Sequence, residues 1–174
     1  LGTSRYSPTA FKQELFKLGL SIDVSASEDR CYVTLSGLEK NLSRGVEILE
    51  HLLADAQPNE DALKGLIADI GKTRQDELKN KGGITNGLVN YAKYGPVSAF
   101  NDVIPTERLR ALTSKELVDR IHGLTAFKHK VFYYGRMPAD DVATILKAQH
   151  KTAPKLKEYP QPRTYPELPT TENA

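Results

Sequence analysis

Leu20-Ser21-Ile22-Asp23-Val24-Ser25-Ala26, followed after Ser27-Glu28-Asp29-Arg30 by Cys31-Tyr32-Val33-Thr34-Leu35-Ser36, is the stretch whose reading decides the fold. Leu20, Ile22, Val24 and Ala26 alternate with Ser21, Asp23 and Ser25, the period-two pattern of a half-buried strand. After the polar break the alternation resumes, with Cys31, Val33 and Leu35 apolar. Folding the halves across the break sets Ala26 opposite Cys31, Val24 opposite Val33 and Ile22 opposite Leu35, so the apolar side chains share one face. A hairpin over 20–36 with one apolar and one wet face requires helices to cover the apolar one.

Outward from the hairpin the chain reads as helices. Upstream, Ser7-Pro8 is a cap followed by a proline at the first helical position, Phe11, Leu15 and Leu18 share a stripe, and Gly19 ends the helix. Downstream, Glu39 to Ala54 carries Leu42, Val46, Leu49 and Leu53 on one stripe and stops before Pro58. Asn59 caps a third helix with Leu63, Leu66, Ile67 and Ile70, running to about Leu78. Lys81-Gly82-Gly83 breaks the pattern. A fourth helix from Ile84 to Tyr94 uses Ile84, Leu88, Tyr91 and Ala92, and Gly95-Pro96 ends it. Beyond Pro105 and Thr106-Glu107-Arg108-Leu109, Thr113-x-x-Glu116 forms a capping box for a helix through Ile121.

Lys128 to Tyr134, KHKVFYY, reads as a third strand, and Pro138 opens a last helix through about His150. From Thr152 onward Pro154, Pro160, Pro162, Pro166 and Pro169 interrupt a polar segment with no apolar periodicity. Residues 152–174 therefore read as a Pro-rich interdomain linker after an α+β domain over 1–151. Three strands are few for so many helices, so the domain is expected to lack its first strands, which would precede Leu1.

At 174 residues the chain is long enough for a buried core. A net charge of +2, with both signs interspersed, gives no nucleic-acid or membrane surface, and no apolar run approaches the roughly 20 residues of a membrane span. The single cysteine, Cys31, permits no internal disulfide and leaves the compartment unread.

Candidate chemistry is sparse. His51, His122, His129 and His150 include no i, i+4 pair of imidazole ligands. Glu47 and His51 do stand at i, i+4, and they read as a solvated pair on the polar face of their helix. Asp23, Ser25 and a histidine suggest a nucleophilic triad, but no G-x-S-x-G lifts the serine. Lys79-Asn80-Lys81-Gly82-Gly83 lacks the order of a phosphate loop and reads as a helix break. Tyr91 fits a core stripe, and Tyr94, Tyr133 and Tyr134 fit packed edges rather than a stacking platform for bases. No catalytic, metal-binding or substrate-binding residue is assignable.

The order of pieces carries a resemblance. Leu1-Gly2-Thr3-x-x-Tyr6-Ser7, the helix ending Lys17-Leu18-Gly19, the hairpin, Leu35-x-Gly37-Leu38-x-x-Asn41-Leu42, Thr113-Ser114-Lys115-Glu116-Leu117 and Tyr134-Gly135 together resemble the pitrilysin/insulinase family of zinc peptidases, over about Leu1 to Lys151. The resemblance implies an α+β domain of a two-halved peptidase closing around a peptide. One half of such a peptidase carries H-x-x-E-H and a later Glu as zinc ligands. That third ligand would fall near Ile70 to Thr73, where this chain has no acid, leaving Asp69 or Glu77 as substitutes. The hairpin reads Ile22-Asp23-Val24-Ser25 where catalytic domains tend to carry an Asn-Ala-x-Thr-like sequence.

Both departures resemble the non-catalytic C-terminal half. The expected function is a non-catalytic wall of the peptide chamber, with zinc held in the catalytic half of the parent protein. Its partners would be that half and a peptide substrate. Two alternatives stand beside it: an inactive scaffold or partner subunit of the same fold, and a catalytic domain truncated just after its H-x-x-E-H. A bacterial periplasm or cell-envelope location suits the resemblance.

Overall fold

The computed structural model describes residues 1–27 and 30–169. In chain order the elements are β1 (Gly2–Thr3), α1 (Pro8–Lys17), β2 (Leu20–Ala26), β3 (Cys31–Gly37), α2 (Leu42–Asp55) and β4 (Ala56–Gln57). They continue with α3 (Glu60–Glu77), α4 (Lys81–Tyr94), α5 (Thr106–Arg110), α6 (Ser114–His122) and α7 (Ala139–Gln149). Single 3-10 turns over Glu39–Asn41 and Leu124–Ala126 precede α2 and follow α6. The α+β class expected from the sequence is what forms. The chain folds as two compact units, residues 1–59 with 114–161, and residues 60–113 with 162 onward.

In the first unit β2 and β3 pair antiparallel in the expected register: Ile22 faces Leu35, Val24 faces Val33 and Ala26 faces Cys31. Ser27 donates its backbone N–H to Arg30 O (2.8 Å) to close the turn; Glu28 and Asp29 of the expected break lie outside the described residues. The apolar face is covered only near its base. Leu20 is buried with Phe11, Leu15 and Ile48, and Ile22 and Leu35 pack against that cluster, while Val24 near the tip is 60% exposed.

The covering helices are fixed by local chemistry. Ser7 Oγ accepts from Ala10 N (3.2 Å) to cap α1, with Pro8 at its first position. Gly19 then turns the chain at φ +61°, a region costly for side chains with a Cβ. Asn41 donates Nδ2–H to Leu18 O (2.7 Å), tying the far end of the hairpin to the end of α1. On α2 the most buried positions are Gly45, Val46 and Ile48, and Ile48 is 1% exposed. The stripe expected through Leu49 and Leu53 is rotated by about one position, because Gly45 admits the close approach of Leu20 and Leu35.

β1 and β4 form a second, two-residue ladder (Gly2 with Gln57, Thr3 with Ala56) that brings the start of the chain to the end of α2. Both α6 and α7 pack on α2. Lys128–Tyr134 is not a strand. Lys128 N donates to Lys157 O (2.9 Å) and Lys157 N to Ala126 O (2.8 Å), an isolated parallel bridge, and Phe127 stacks on Tyr159. Beyond that bridge no ladder partner meets the segment among the described residues, and Phe132 and Tyr134 are exposed. Strand-like composition needs a neighbouring strand before it becomes a strand.

In the second unit Leu63 of α3 and Leu109 of α5 are buried, and α3 packs against α5. Asn80 Oδ1 accepts from Gly82 N (2.8 Å) and Gly83 N (3.3 Å), so the glycine pair forms the first turn of α4. The stripe expected to be buried on α4 is not: Ile84, Leu88 and Tyr91 are all exposed. The segment from Pro162 is docked here. Leu168 N donates to Lys93 O (2.8 Å), Lys93 pairs with Glu167 (2.7 Å), and Arg163 and Tyr165 both bind the Asp102 carboxylate.

Candidate functional site

Polar clusters inside the first unit draw together residues distant in sequence. The first lies where β1 meets the last turn of α2. His51 Nε2 is 3.0 Å from Thr3 Oγ1 and 3.5 Å from Asp55 Oδ2. Asp55 Oδ2 also accepts from Ser4 N (2.9 Å) and from the Ser4 hydroxyl. The Ser4 hydroxyl, then its amide, with help from His51, hold the Asp55 carboxyl below the usual range.

Serine, histidine and aspartate are the residue types of a hydrolase triad, but the geometry is not one. A triad needs the acid on one ring nitrogen and the nucleophile on the other. Here Asp55 and Thr3 share Nε2, and Ser4 donates to the acid rather than to the imidazole. The cluster is a tie between the start of the chain and α2. It also corrects the expected Glu47–His51 pair. Glu47 binds Arg44 (2.8 Å), whose guanidinium reaches Glu14 (3.4 Å) and the Tyr6 hydroxyl (3.2 Å). His51 turns instead to Asp55 and Thr3.

The second cluster is a carboxylate–imidazole–imidazole chain. Glu50 Oε1 is 2.6 Å from His150 Nδ1, His150 Nε2 is 2.7 Å from His129 Nε2, and His129 Nδ1 donates to Phe127 O (2.7 Å). Glu50 Oε2 accepts the Lys151 amide (3.1 Å). The side chains of Glu50 and His150 are only 12% and 21% exposed, so solvent supplies few alternative partners.

The third cluster closes on Glu39. One oxygen, Oε1, accepts from the Tyr133 hydroxyl, from Arg136 N (2.6 Å) and from Met137 N (2.7 Å). The Tyr133 bond first, then the two amides, hold the Glu39 carboxyl below its ordinary range, and the same bond pushes the Tyr133 phenol up. Position 39 thereby fixes the loop that leads into α7.

The remaining sequence candidates are not brought together. Asp23 and Ser25 lie exposed on β2, and His122 is exposed at the end of α6. Asp69 and Glu77 are exposed on α3. Among the described residues no three His, Cys, Asp or Glu side chains are placed to hold a metal ion. Among the described residues, the Nε2 of His51 is taken by Thr3 and Asp55, and His129 and His150 face each other. An open groove of about 470 Å³ runs between α3 and α5, lined by Ile67, Gly71, Lys72, Leu109 and Arg110 among others. No helix among the described residues is long and apolar enough to cross a membrane.

No family model matches the chain, and no curated protein matches it. Among solved structures it is similar to the ferredoxin protease FusC, a mutant crystallised in complex with Arabidopsis ferredoxin. That likeness has a TM-score of 0.72 at 13% identity over 96% of this chain. The chain spans 18% of the FusC chain. These findings correct the family assignment drawn from the order of motifs. Without a matching family model or curated relative, those short motifs do not establish membership in the pitrilysin/insulinase family or in its C-terminal half. The likeness to FusC shows a fold shared with part of a peptidase.

Proposed function

We propose that this chain is a non-catalytic domain of a longer peptidase-like protein, where it forms part of the wall that closes around a peptide. The observation that carries this reading is the self-closure of its polar clusters. A hydrolytic site needs a base or ligand with a lone pair aimed at substrate or metal. Among the described residues of the first unit the partly buried imidazoles and carboxylates are instead bound to other protein groups: His51 to Thr3 and Asp55, Glu14 to Arg44, and Glu50, His150 and His129 in series. The fold likeness supports the peptidase context, because nearly the whole chain aligns with under a fifth of a peptidase chain.

On this reading the zinc and the activated water belong to another part of the longer protein. This domain supplies shape and excludes water when the chamber closes. The Pro-rich run from Thr152, whose part from Pro162 is docked in the second unit, leads on to a following domain. The test is deletion of residues 1–174 from the full polypeptide, with zinc content and cleavage of an unfolded peptide measured together. The expected result is loss of turnover with zinc retained. Turnover that survives the deletion contradicts the proposal.

A further inference from the structure

The geometry points to the Glu50–His150–His129 chain as a single-proton clasp, closed at one protonation state and opened by either gain or loss of a proton. This does not rest on the peptidase reading. The clasp joins three pieces of the first unit: α2 through Glu50, the end of α7 through His150 and Lys151, and the segment after α6 through His129.

The chain has three links, namely Phe127 O to His129 Nδ1, His129 Nε2 to His150 Nε2, and His150 Nδ1 to Glu50 Oε1. Each link needs one proton and tolerates only one. Two neutral imidazoles and a carboxylate hold two protons, so one link is empty. Two imidazoliums and a carboxylate hold four, so one link carries two opposed N–H groups. Only three protons, one positive charge shared by the two rings opposite one carboxylate, complete the series. This holds whichever ring carries the charge.

The ring geometry favours a proton over a metal between the two imidazoles. Their centroids are 4.9 Å apart, close to the most that a 2.7 Å nitrogen contact allows, so the rings stand end to end with their nitrogens pointing at each other. Two imidazoles on one metal ion would converge on a point to one side.

The other charged side chains on the elements around the clasp are engaged elsewhere or exposed. On α2, Glu47 holds Arg44, and His51 holds Thr3 and Asp55. On α6, which packs on α2, Lys115 pairs with Asp119 (2.6 Å), and Arg120 and His122 are exposed. Lys128 pairs with Glu158, and Lys130 and Lys147 are exposed. The bonds of Glu50 and the two rings run to one another, to Phe127 O and to Lys151 N.

The test is hydrogen exchange of the Lys151 amide in the whole chain as a function of pH, corrected for intrinsic exchange and read beside the imidazole nitrogen signals. In the unaltered chain protection is expected to peak at intermediate pH and to fall about tenfold on each side as one charge-assisted link is lost.

Glu50→Gln separates the clasp from a plain structural contact. A glutamine amide can donate to His150 Nδ1 while its oxygen accepts Lys151 N–H, so two neutral imidazoles then complete the series. The alkaline fall should disappear and the acid fall should remain. Protection independent of pH, or both falls unchanged in Glu50→Gln, overturns the inference. Should Glu50→Gln fail to fold, Lys151 protection in the unaltered chain that falls on one side of the pH range only overturns it as well.

Discussion

Gly45 decides how α2 sits on the hairpin, and its substitution sets two opposed effects against each other. A Cβ at position 45 would stand 2.9 Å from Leu20 Cδ1 and 3.0 Å from Leu35 Cδ2, closer than carbon atoms pack. Intrinsic helix propensity favours Gly45→Ala by about 1 kcal/mol. Forcing one methyl into a filled core costs about 1–3 kcal/mol. The clash falls on leucine methyl groups, which can give, so Gly45→Ala should destabilise by about 0–2 kcal/mol net.

Gly45→Val recovers less of the propensity gain and brings two more carbons into the same space, for a net loss of about 2–3 kcal/mol. Urea unfolding at constant slope measures both. Leu35→Ala, which empties the space beside position 45, should couple favourably with Gly45→Val by about 1 kcal/mol or more. A Gly45→Ala variant stabilised by the full propensity gain, with additive behaviour against Leu35→Ala, would refute the packing argument.

Three further outcomes follow from the structure. Ile48→Ala removes three fully buried carbons beside Phe11, Leu15 and Leu20, and should cost about 3–4 kcal/mol by urea unfolding. Glu39 has its folded-state carboxyl value lowered, so its hold on the loop before α7 is complete above the ordinary glutamate range. That hold is lost as pH falls through the lowered value, which faster amide exchange at Met137 below the usual range will show. Asp102→Asn removes the carboxylate that binds Tyr165 and Arg163, so limited trypsin should cut after Arg163 sooner, and the Tyr165 phenol should titrate at lower pH than in the unaltered chain.

What was legible in the sequence was what local chemistry dictates. Alternation alone fixed the register from Ile22–Leu35 to Ala26–Cys31, because a one-residue slip would turn the whole apolar set to water. Ser7-Pro8 and Gly19 bounded α1, and Pro138 opened α7, because caps and breakers act within a few residues. Lys128–Tyr134 misled, since its composition says that it suits a strand without saying which strand is beside it.

The polar clusters were not legible. Glu50 and His150 are one hundred positions apart, and Glu39 and Tyr133 ninety-four. Nothing in either neighbourhood marks the other. The one available signal was that Glu50 falls beside the apolar stripe of α2, where a carboxylate needs a partner. Helix spacing pairs His51 with Glu47, whereas the β1–β4 ladder brings Thr3 to it instead.

The most direct test of the account is a zinc determination on the purified 174-residue chain, paired with mass spectrometry of an unfolded peptide incubated with it. Closed polar clusters on a peptidase-like fold predict a chain that takes up no stoichiometric zinc and returns the peptide intact. One zinc per chain with chelator-sensitive cleavage would contradict the account, because some of the side chains bound to one another would have to be ligands instead.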